Sequence, residues 1–399
     1  MATVFVVNAG SSSLKYQLID LGSGEAVASG SVERIGEDVS TVTHKGPDGV
    51  KHRAEDKPAP DHTVAMRAVV SMFGQYGPSL DQAGICAVGH RVVQGGAIFD
   101  GPTLVTPEVK AQIQELAPLA PLHNPAALLG IAAAEAIWPD LPQVAVFDTA
   151  FHQTLPPEVY TYAIPRDLAA KHRIRRYGAH GTSHKYVSVE TAKAMGRDPK
   201  DVNVIVVHAG SGASVCAVRG GKSVEVSMGL TPLEGLVMGS RCGDIDPAIL
   251  FLLAREEGMD TDQLDEMCNK KSGLIGLTGT LDMRDIRKAA DAGDEAAQLA
   301  IHVFCHRIRA YIGNYMAQLG HVDAIAWTAG IGENTPEVRE EVCGGLDGLG
   351  IDFDAEINQA LPPGTQGLIS RPDSRVQVWV VPTNEELEIA RETAGLIGR

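Results

Sequence analysis

The hexapeptide Val6-Val7-Asn8-Ala9-Gly10-Ser11 returns almost unchanged as Val206-Val207-His208-Ala209-Gly210-Ser211, an offset of 200 residues in a chain of 399. No other feature limits the fold so strongly. Each copy runs from a short apolar stretch into a small polar turn and out along a second strand candidate, Lys15 to Asp20 after the first copy and Ser214 to Arg219 after the second. One Gly/Ser turn between strands is common. Two of them half a chain apart predict a duplicated domain, with a turn from each half facing one cleft.

A third segment has similar character. Ala324 to Thr328 reads as a buried strand, Gly330-Ile331-Gly332-Glu333-Asn334 as a glycine turn and Pro336 as a helix start. Strand, glycine turn and helix N-terminus together suit phosphate or ribose. Elsewhere strand candidates (Ile85 to Val88, Gln143 to Phe147, Asn203 to Val207, Val376 to Val381) alternate with helix candidates. The helix candidates are Thr63 to Phe73, Pro125 to Ile137, Ser183 to Ala194, Pro247 to Arg255, Glu295 to Gln318 and Glu385 to Leu396. Alternation of this kind argues for α/β architecture. Asp246-Pro247 predicts an N-cap with proline at the first helical position, and Thr383-x-x-Glu386 a capping box. The length suggests two or three domains, and the Pro-rich stretch Thr154 to Pro165 places a boundary near residue 150.

Charge and composition narrow the function. The formal net charge is −16, from 34 basic and 50 acidic side chains, which argues against broad nucleic-acid or anionic-membrane binding. A small anionic substrate remains compatible, because a few local cations can dominate one pocket. Apolar residues at 44% and charged residues at 21% are ordinary globular values. The six cysteines form no C-x-x-C pair and read as reduced thiols of a cytoplasmic protein; the N-terminus has no basic region of a targeting signal. Walker-type, G-x-G-x-x-G, H-E-x-x-H and G-x-S-x-G motifs are absent, which removes several enzyme classes in their usual form.

Several residues could carry chemistry. In the first turn, small residues let backbone N–H groups approach an anion, Ser13 adds a hydroxyl and Lys15 a charge. The repeat at His208, Ala209, Gly210, Ser211 and Gly212 favours phosphate contact over a plain turn. Arg91, before Gly95-Gly96, and Arg241, in a glycine-flanked loop, could hold a carboxylate or both ends of a transferring phosphoryl group. Each could equally be a structural salt-bridge partner. Cys242, beside Arg241, reads either as an activated thiol or as inert packing. His180 precedes a helix that Thr182 or Ser183 could cap, and is placed to donate to a developing oxyanion or to serve structure alone. His184 follows at helical spacing, but a metal reading lacks a nearby third ligand. Asp148 ends a strand and could orient an arginine, join a metal shell, act as a base or cap a turn. Glu385 could bind Mg²⁺ or complement a helix dipole.

Taken together, the segments VVNAGSSSLKYQLID, AVGHRVVQGG, LAPLHNP, VFDTAFHQTLP, YGAHGTSHKYV, VIVVHAGSGAS, TPLEGLVMGSRCGDIDPA, TAGIGENTPEVR and VPTNEELEIARET resemble the acetate kinases, within the acyl-phosphate kinase (acetokinase) family. They keep the family's order along the whole chain. The resemblance implies the duplicated two-domain α/β fold of sugar kinases, actin and heat-shock ATPases, with a nucleotide cleft between domains and the last helix packed on the first. The expected domains are 1–150 plus 385–399 and 151–384. It implies transfer of the ATP γ-phosphoryl to acetate, with Mg²⁺ (or Mn²⁺) as cofactor and ATP/ADP as co-substrate. A cytoplasmic homodimer, with no nucleic-acid or membrane partner, is also implied.

Residue by residue, the resemblance implies Asn8 and Glu385 at the magnesium, and Ser13 and Lys15 in the N-terminal phosphate turn. Arg91 and Arg241 match the arginines for carboxylate and phosphoryl, His180 the stabiliser of the transition state and Asp148 the essential acid. His208 to Gly212 match the second phosphate loop. Asp282, Met283, Arg284 and Gly330 to Asn334 (including Ile331, Gly332 and Glu333) match the adenosine segments. Val93, Leu122 and Pro232 match part of the pocket for the substrate methyl group. Three positions depart from the family pattern. Ala179 replaces an aromatic residue, which implies a larger acyl side and leaves acetate against propionate open. Ser211 replaces an asparagine, and Gln94 stands where histidine is common. The competing readings are a kinase for propionate or another short acid, a nucleotide-binding ATPase or sensor of the same fold, and a pyrophosphate-using relative.

Overall fold

The computed structural model describes residues 2–54 and 58–399. The chain divides into two compact units, Met1–Phe151 with Asn384–Arg399, and His152–Thr383.

In the first unit the strands, in chain order, are β1 (Thr3–Ala9), β2 (Ser13–Asp20), β3 (Ala26–Glu33), β4 (Thr41–Lys45), β5 (Lys51–Ala54), β6 (Ile85–Val92), β7 (Thr103–Leu104) and β8 (Gln143–Phe147). They form one sheet in the order β5-β4-β3-β2-β1-β6-β8-β7. β1, β2 and β3 are antiparallel neighbours, whereas β1, β6 and β8 run parallel. In the second unit β9 (Asn203–Ala209), β10 (Ala213–Arg219), β11 (Lys222–Val226), β12 (Ala324–Thr328), β13 (Gly367–Leu368) and β14 (Gln377–Val380) lie in the order β11-β10-β9-β12-β14-β13. Here too three antiparallel strands, β11-β10-β9, continue into parallel β9-β12-β14. The repeated hexapeptides therefore end β1 and β9, the equivalent strands of a duplicated α/β unit.

Helices cover these sheets because their apolar residues recur at helical spacing. The longest, Glu295–Leu319, buries Ala297, Ala300, Ile301, Phe304, Ile308, Ile312, Tyr315 and Leu319 in the second unit's core. Asp294 caps it by accepting from Ala296 N and Ala297 N, and Gly320 ends it at φ 70°. In the first unit, helix His62–Tyr76 packs Met66, Val69 and Phe73 against Phe5, Tyr16 and Leu18 of the sheet.

Four local expectations are corrected. Thr383 does not cap the last helix, Glu385–Leu396; the Asn384 side chain does, accepting from Leu387 N at 3.0 Å. Thr182 and Ser183 lie inside the first turn of helix Gly181–Ala194, whose N-cap is His180. Gly330 to Asn334 is no turn but most of a short helix, Ala329–Asn334. Helix Ala248–Glu256 takes Pro247 as N-cap, although Asp246 still accepts from Ala248 N at 2.9 Å.

Candidate active site

In the first unit, strand register brings Arg91 and Asp148 together. β6 and β8 run parallel with Arg91 opposite Val146, and Asp148 N donates to Val92 O at 2.9 Å just beyond the strand. Two residues 57 apart in sequence thus share one sheet end. Arg91 Nη2 donates to Asp148 Oδ2 at 2.7 Å, and its Nε lies 3.2 and 3.3 Å from the two carboxylate oxygens. Glu385 opens the last helix, and its Oε2 lies 3.7 Å from Arg91 Nε. That helix comes close because Gly89 has no side chain. A Cβ there would meet Thr393 Oγ1 at 2.6 Å and Ile389 Cγ2 at 2.8 Å.

The electrostatics follow from burial. Desolvation pulls the Arg91 pKa down, but Asp148 and Glu385 more than offset it, so the guanidinium is held charged above its ordinary value. Desolvation raises the Glu385 pKa, and Asp148 and Glu386 push the same way against Arg91 and Lys15. Asp148, only 1% exposed, accepts from Arg91 with both carboxylate oxygens and so fixes the plane of the guanidinium.

Around this pair, Asn8 and Lys15 face each other across β1 and β2, and Gly10 N donates to Ser13 O at 2.8 Å to close the turn between these strands. Gln94 has a structural role in this chain. Its Oε1 accepts from Gly96 N at 2.8 Å, while its backbone N–H and C=O bond the Asn124 amide. Val93 is half-buried and the Leu122 side chain lies exposed, an apolar group with surface to spare for a ligand.

In the second unit, β9 and β10 frame the turn Gly210–Gly212, which Ser211 O fixes by accepting from Gly239 N at 2.9 Å. His180 sits at φ 55°, a left-handed conformation uncommon for a side-chain-bearing residue. Its ring stacks on His208 with centroids 4.2 Å apart. A Cβ placed on Gly212 would lie 3.1 Å from Arg241 Nη2 and 3.4 Å from His180 Nε2, so both groups converge on one point above that glycine. Arg241 Nη1 donates to Pro232 O at 2.6 Å. Among the described residues it has no acidic partner, and desolvation lowers its pKa. A partly buried cation whose side-chain bond goes to a neutral carbonyl calls for an anion.

Other expected residues are placed differently. Met283 is buried in the second unit's core, so its side chain is not presented to a ligand. Asp282 and Arg284 form an exposed N-terminal pair, with the guanidinium holding the Asp282 carboxyl near pKa 2. Glu333 turns back on its own helix, where its Oε1 accepts from Ala329 N at 2.8 Å, and it also accepts from Thr383 N, far along the chain, at 3.2 Å. Asn334 Nδ2 likewise donates to Gly330 O at 2.8 Å. Ile331 packs on the core, and Ala209 and Gly332 are buried. Ala179 points into the core, 2% exposed, and its carbonyl lies 3.0 Å from His152 Nε2. Its small size is thus absorbed by packing, and a larger acyl side does not follow. Burial pushes the Cys242 thiol up to about 12, the direction opposite to activation.

Sequence reasoning missed Ser214, whose Oγ lies 2.9 Å from His180 Nδ1 and 2.8 Å from His184 Nε2. The available signal was a serine within the otherwise apolar run Ala213 to Val218.

Comparison with known proteins adds the family. The sequence matches the acetokinase family over residues 3–391. It is 56% identical over 392 residues to an acetate kinase of Leifsonia xyli subsp. xyli, a match covering 98% of each chain. Among solved structures it resembles an acetate kinase of Porphyromonas gingivalis, with a TM-score of 0.95 and 44% identity over 100% of both chains. A propionate kinase from Francisella tularensis subsp. tularensis gives a TM-score of 0.91 and 40% identity, covering 98% of this chain and 99% of that one.

Proposed function

The chain belongs to the acetokinase family, and from that premise we propose that it reversibly transfers the γ-phosphoryl group of ATP to acetate, giving acetyl phosphate and ADP. The observation that carries this reading is Arg241, a desolvated guanidinium without an acidic partner among the described residues, converging with His180 above Gly212.

Acetate is already ionised at neutral pH and needs no base. Its difficulty is repulsion from an anionic phosphoryl group, so catalysis rests on alignment and charge neutralisation. Arg91, oriented by Asp148, takes the carboxylate, and Val93, Leu122 and Pro232 take the methyl group. One carboxylate oxygen attacks the γ-phosphorus as the bond to the ADP oxygen breaks. Arg241 and His180 stabilise the charge on the equatorial oxygens, and the turns at Ser13 and at His208 to Gly212 hold phosphates.

Asn8 and Glu385 suit Mg²⁺ by chemistry. Both offer hard oxygen donors, and the Glu385 carboxylate is desolvated beside Asp148 and Glu386, a concentration of negative charge a cation would relieve. Among the described residues no three His, Cys, Asp or Glu side chains surround one metal position, and Mg²⁺ commonly takes its remaining ligands from water and phosphate. When bound, it would neutralise nucleotide charge.

The proposal extends to a cytoplasmic homodimer. All six cysteines are free thiols, and among the described residues no helix is long and apolar enough to cross a membrane. Helix Ala248–Glu256 buries none of its residues and leaves Ile249, Phe251 and Leu252 at 40%, 62% and 50% exposure, an apolar face suited to a second copy.

Hydroxylamine trapping of acyl phosphate tests the function, using purified protein, Mg-ATP and acetate, propionate or butyrate in parallel. Product should be strongest with acetate. Product strongest with propionate would shift the substrate and keep the chemistry, whereas none with any acid would overturn the reading.

A further inference from the structure

Ser214 stands at the centre of a buried hydrogen-bond chain that the reaction chemistry does not by itself require. It lies in β10 directly opposite His208 of β9, and is fully buried. Among the described residues its side chain has two partners, His180 Nδ1 at 2.9 Å and His184 Nε2 at 2.8 Å. His184 projects from the first turn of helix Gly181–Ala194 and is also fully buried, and among the described residues its Nδ1 has no hydrogen-bond partner.

Counting protons decides how this chain runs. Burial, reinforced by His152 and His208, pushes the His184 pKa well below its ordinary value, so the ring is neutral and carries one N–H. A hydroxyl gives one hydrogen and accepts at its lone pairs. If His184 donates from Nε2 to Ser214 Oγ, the hydroxyl is free to donate to His180 Nδ1, and the His184 N–H and the serine O–H each have an acceptor. If instead His184 carries its proton on Nδ1, that N–H is buried with nothing to receive it. If both rings donate to Oγ, the serine hydrogen is stranded. Buried donors without acceptors are rare, because each forfeits its hydration with nothing in return.

We propose that Ser214 and His184 are positioning residues that hold His180 in its neutral form with the proton on Nε2. The nitrogen converging with Arg241 above Gly212 then always presents a hydrogen. Stacking on His208 fixes the plane of the ring, and Ser183 Oγ holds His208 Nδ1 at 2.8 Å. The catalytic value of this arrangement rests on the reading that His180 donates to the transferring phosphoryl group. The tautomer itself does not depend on that reading.

The test is long-range ¹H–¹⁵N correlation spectroscopy of the full chain labelled at histidine, at neutral pH. The His180 signals are identified by their loss in His180→Gln. The expected spectrum shows a neutral His180 protonated on Nε2. Ser214→Ala should shift His180 towards a mixture of tautomers and lower kcat by about 10-fold to 100-fold, the usual cost of losing a group that orients a functional histidine. KM for acetate and ATP should stay within about twofold, because the lost interaction belongs to the transition state. Ser214→Thr keeps the hydroxyl, and His184→Gln keeps a donor near the Nε2 position; both should retain the tautomer and most of the turnover. An Nδ1–H or doubly protonated His180 in the wild-type spectrum overturns the proposal whether or not Ser214→Ala folds. So does a folded Ser214→Ala with an unchanged spectrum and kcat. A wild-type protein that forms no acyl phosphate yet shows the Nε2–H signature would remove the kinase reading and leave the relay standing.

Discussion

Replacing Arg91 and Arg241 by alanine should have opposite consequences for stability and the same consequence for turnover. Arg91→Ala strips the Asp148 carboxylate of a guanidinium bond at 2.7 Å and leaves Glu385 close to it with no cation between. Breaking a fully buried pair costs about 3–5 kcal/mol. The Arg91 and Glu385 side chains keep 20% and 19% exposure, so solvent screens part of the loss, and about 2–3 kcal/mol is expected. At about 2–4 °C per kcal/mol for a unit of this size, Tm should fall by roughly 4–12 °C. Arg241→Ala removes a desolvated cation whose side-chain bond goes to the neutral Pro232 carbonyl. Its Tm should stay within about 2 °C of wild type or rise, since deleting a partly buried charge with no acidic partner among the described residues relieves its desolvation. Both variants should lose on the order of 10²-fold or more in kcat, the scale for one electrostatic stabiliser. Differential scanning calorimetry and the hydroxylamine assay, run on the same preparations, decide the matter. Equal Tm losses, or a larger loss in Arg241→Ala, would refute the distinction between a paired and an unpaired arginine. Wild-type turnover in either folded variant would refute its placement in the chemistry.

Three further perturbations follow from the same geometry. Glu385 has a raised pKa in the folded protein, so between its ordinary 4.5 and that raised value the folded state binds more protons than the unfolded chain, and rising pH removes stability. The Tm advantage of Glu385→Gln over wild type should therefore be small below pH 4.5 and grow as pH rises above it; a constant difference across a pH series of melts would contradict this. Gly212→Ala puts a methyl group 3.1 Å from Arg241 Nη2 and 3.4 Å from His180 Nε2, which should cut kcat by about tenfold or more while leaving Tm nearly unchanged; full turnover would show that the convergence point is not where the phosphoryl group passes. Phe251→Glu places a charge on the exposed apolar face of helix Ala248–Glu256, and light scattering should report a monomer; an unchanged dimer would move the interface elsewhere.

Where sequence reasoning succeeded, local physics was sufficient. Strands Gln143–Phe147 and Ala324–Thr328 and helix Glu385–Leu396 have the expected bounds, because a buried strand reads as a short apolar run and a surface helix as a 3.6-residue period. Helix ends were less legible. Thr383 and Asn384 are both good capping residues, and which one faces the open N–H groups is set by backbone direction; here the Thr383 hydroxyl bonds Ser183 Oγ at 2.9 Å instead. The segment Gly330 to Asn334 has the composition of a turn, yet it closes into a helix because Glu333 reaches back to Ala329 N, a contact of side-chain geometry that glycine content does not report. The residues proposed for the chemistry were legible by type, since an arginine before paired glycines and a histidine beside a helix start are the side chains that can meet an anion. Their partners were not visible.

By itself, the sequence determined the duplicated architecture and the family, because a hexapeptide repeated at half the chain length and ordered motifs along the whole chain are properties of residue order alone. Only tertiary structure decided that Asp148 pairs with Arg91, that Arg241 has no carboxylate partner among the described residues, that Ala179 and Met283 belong to the core, and that Ser214 links two histidines. Each of these depends on distances between segments far apart in the chain. Strand register and buried charge fix those distances, and both arise only when the sheets assemble.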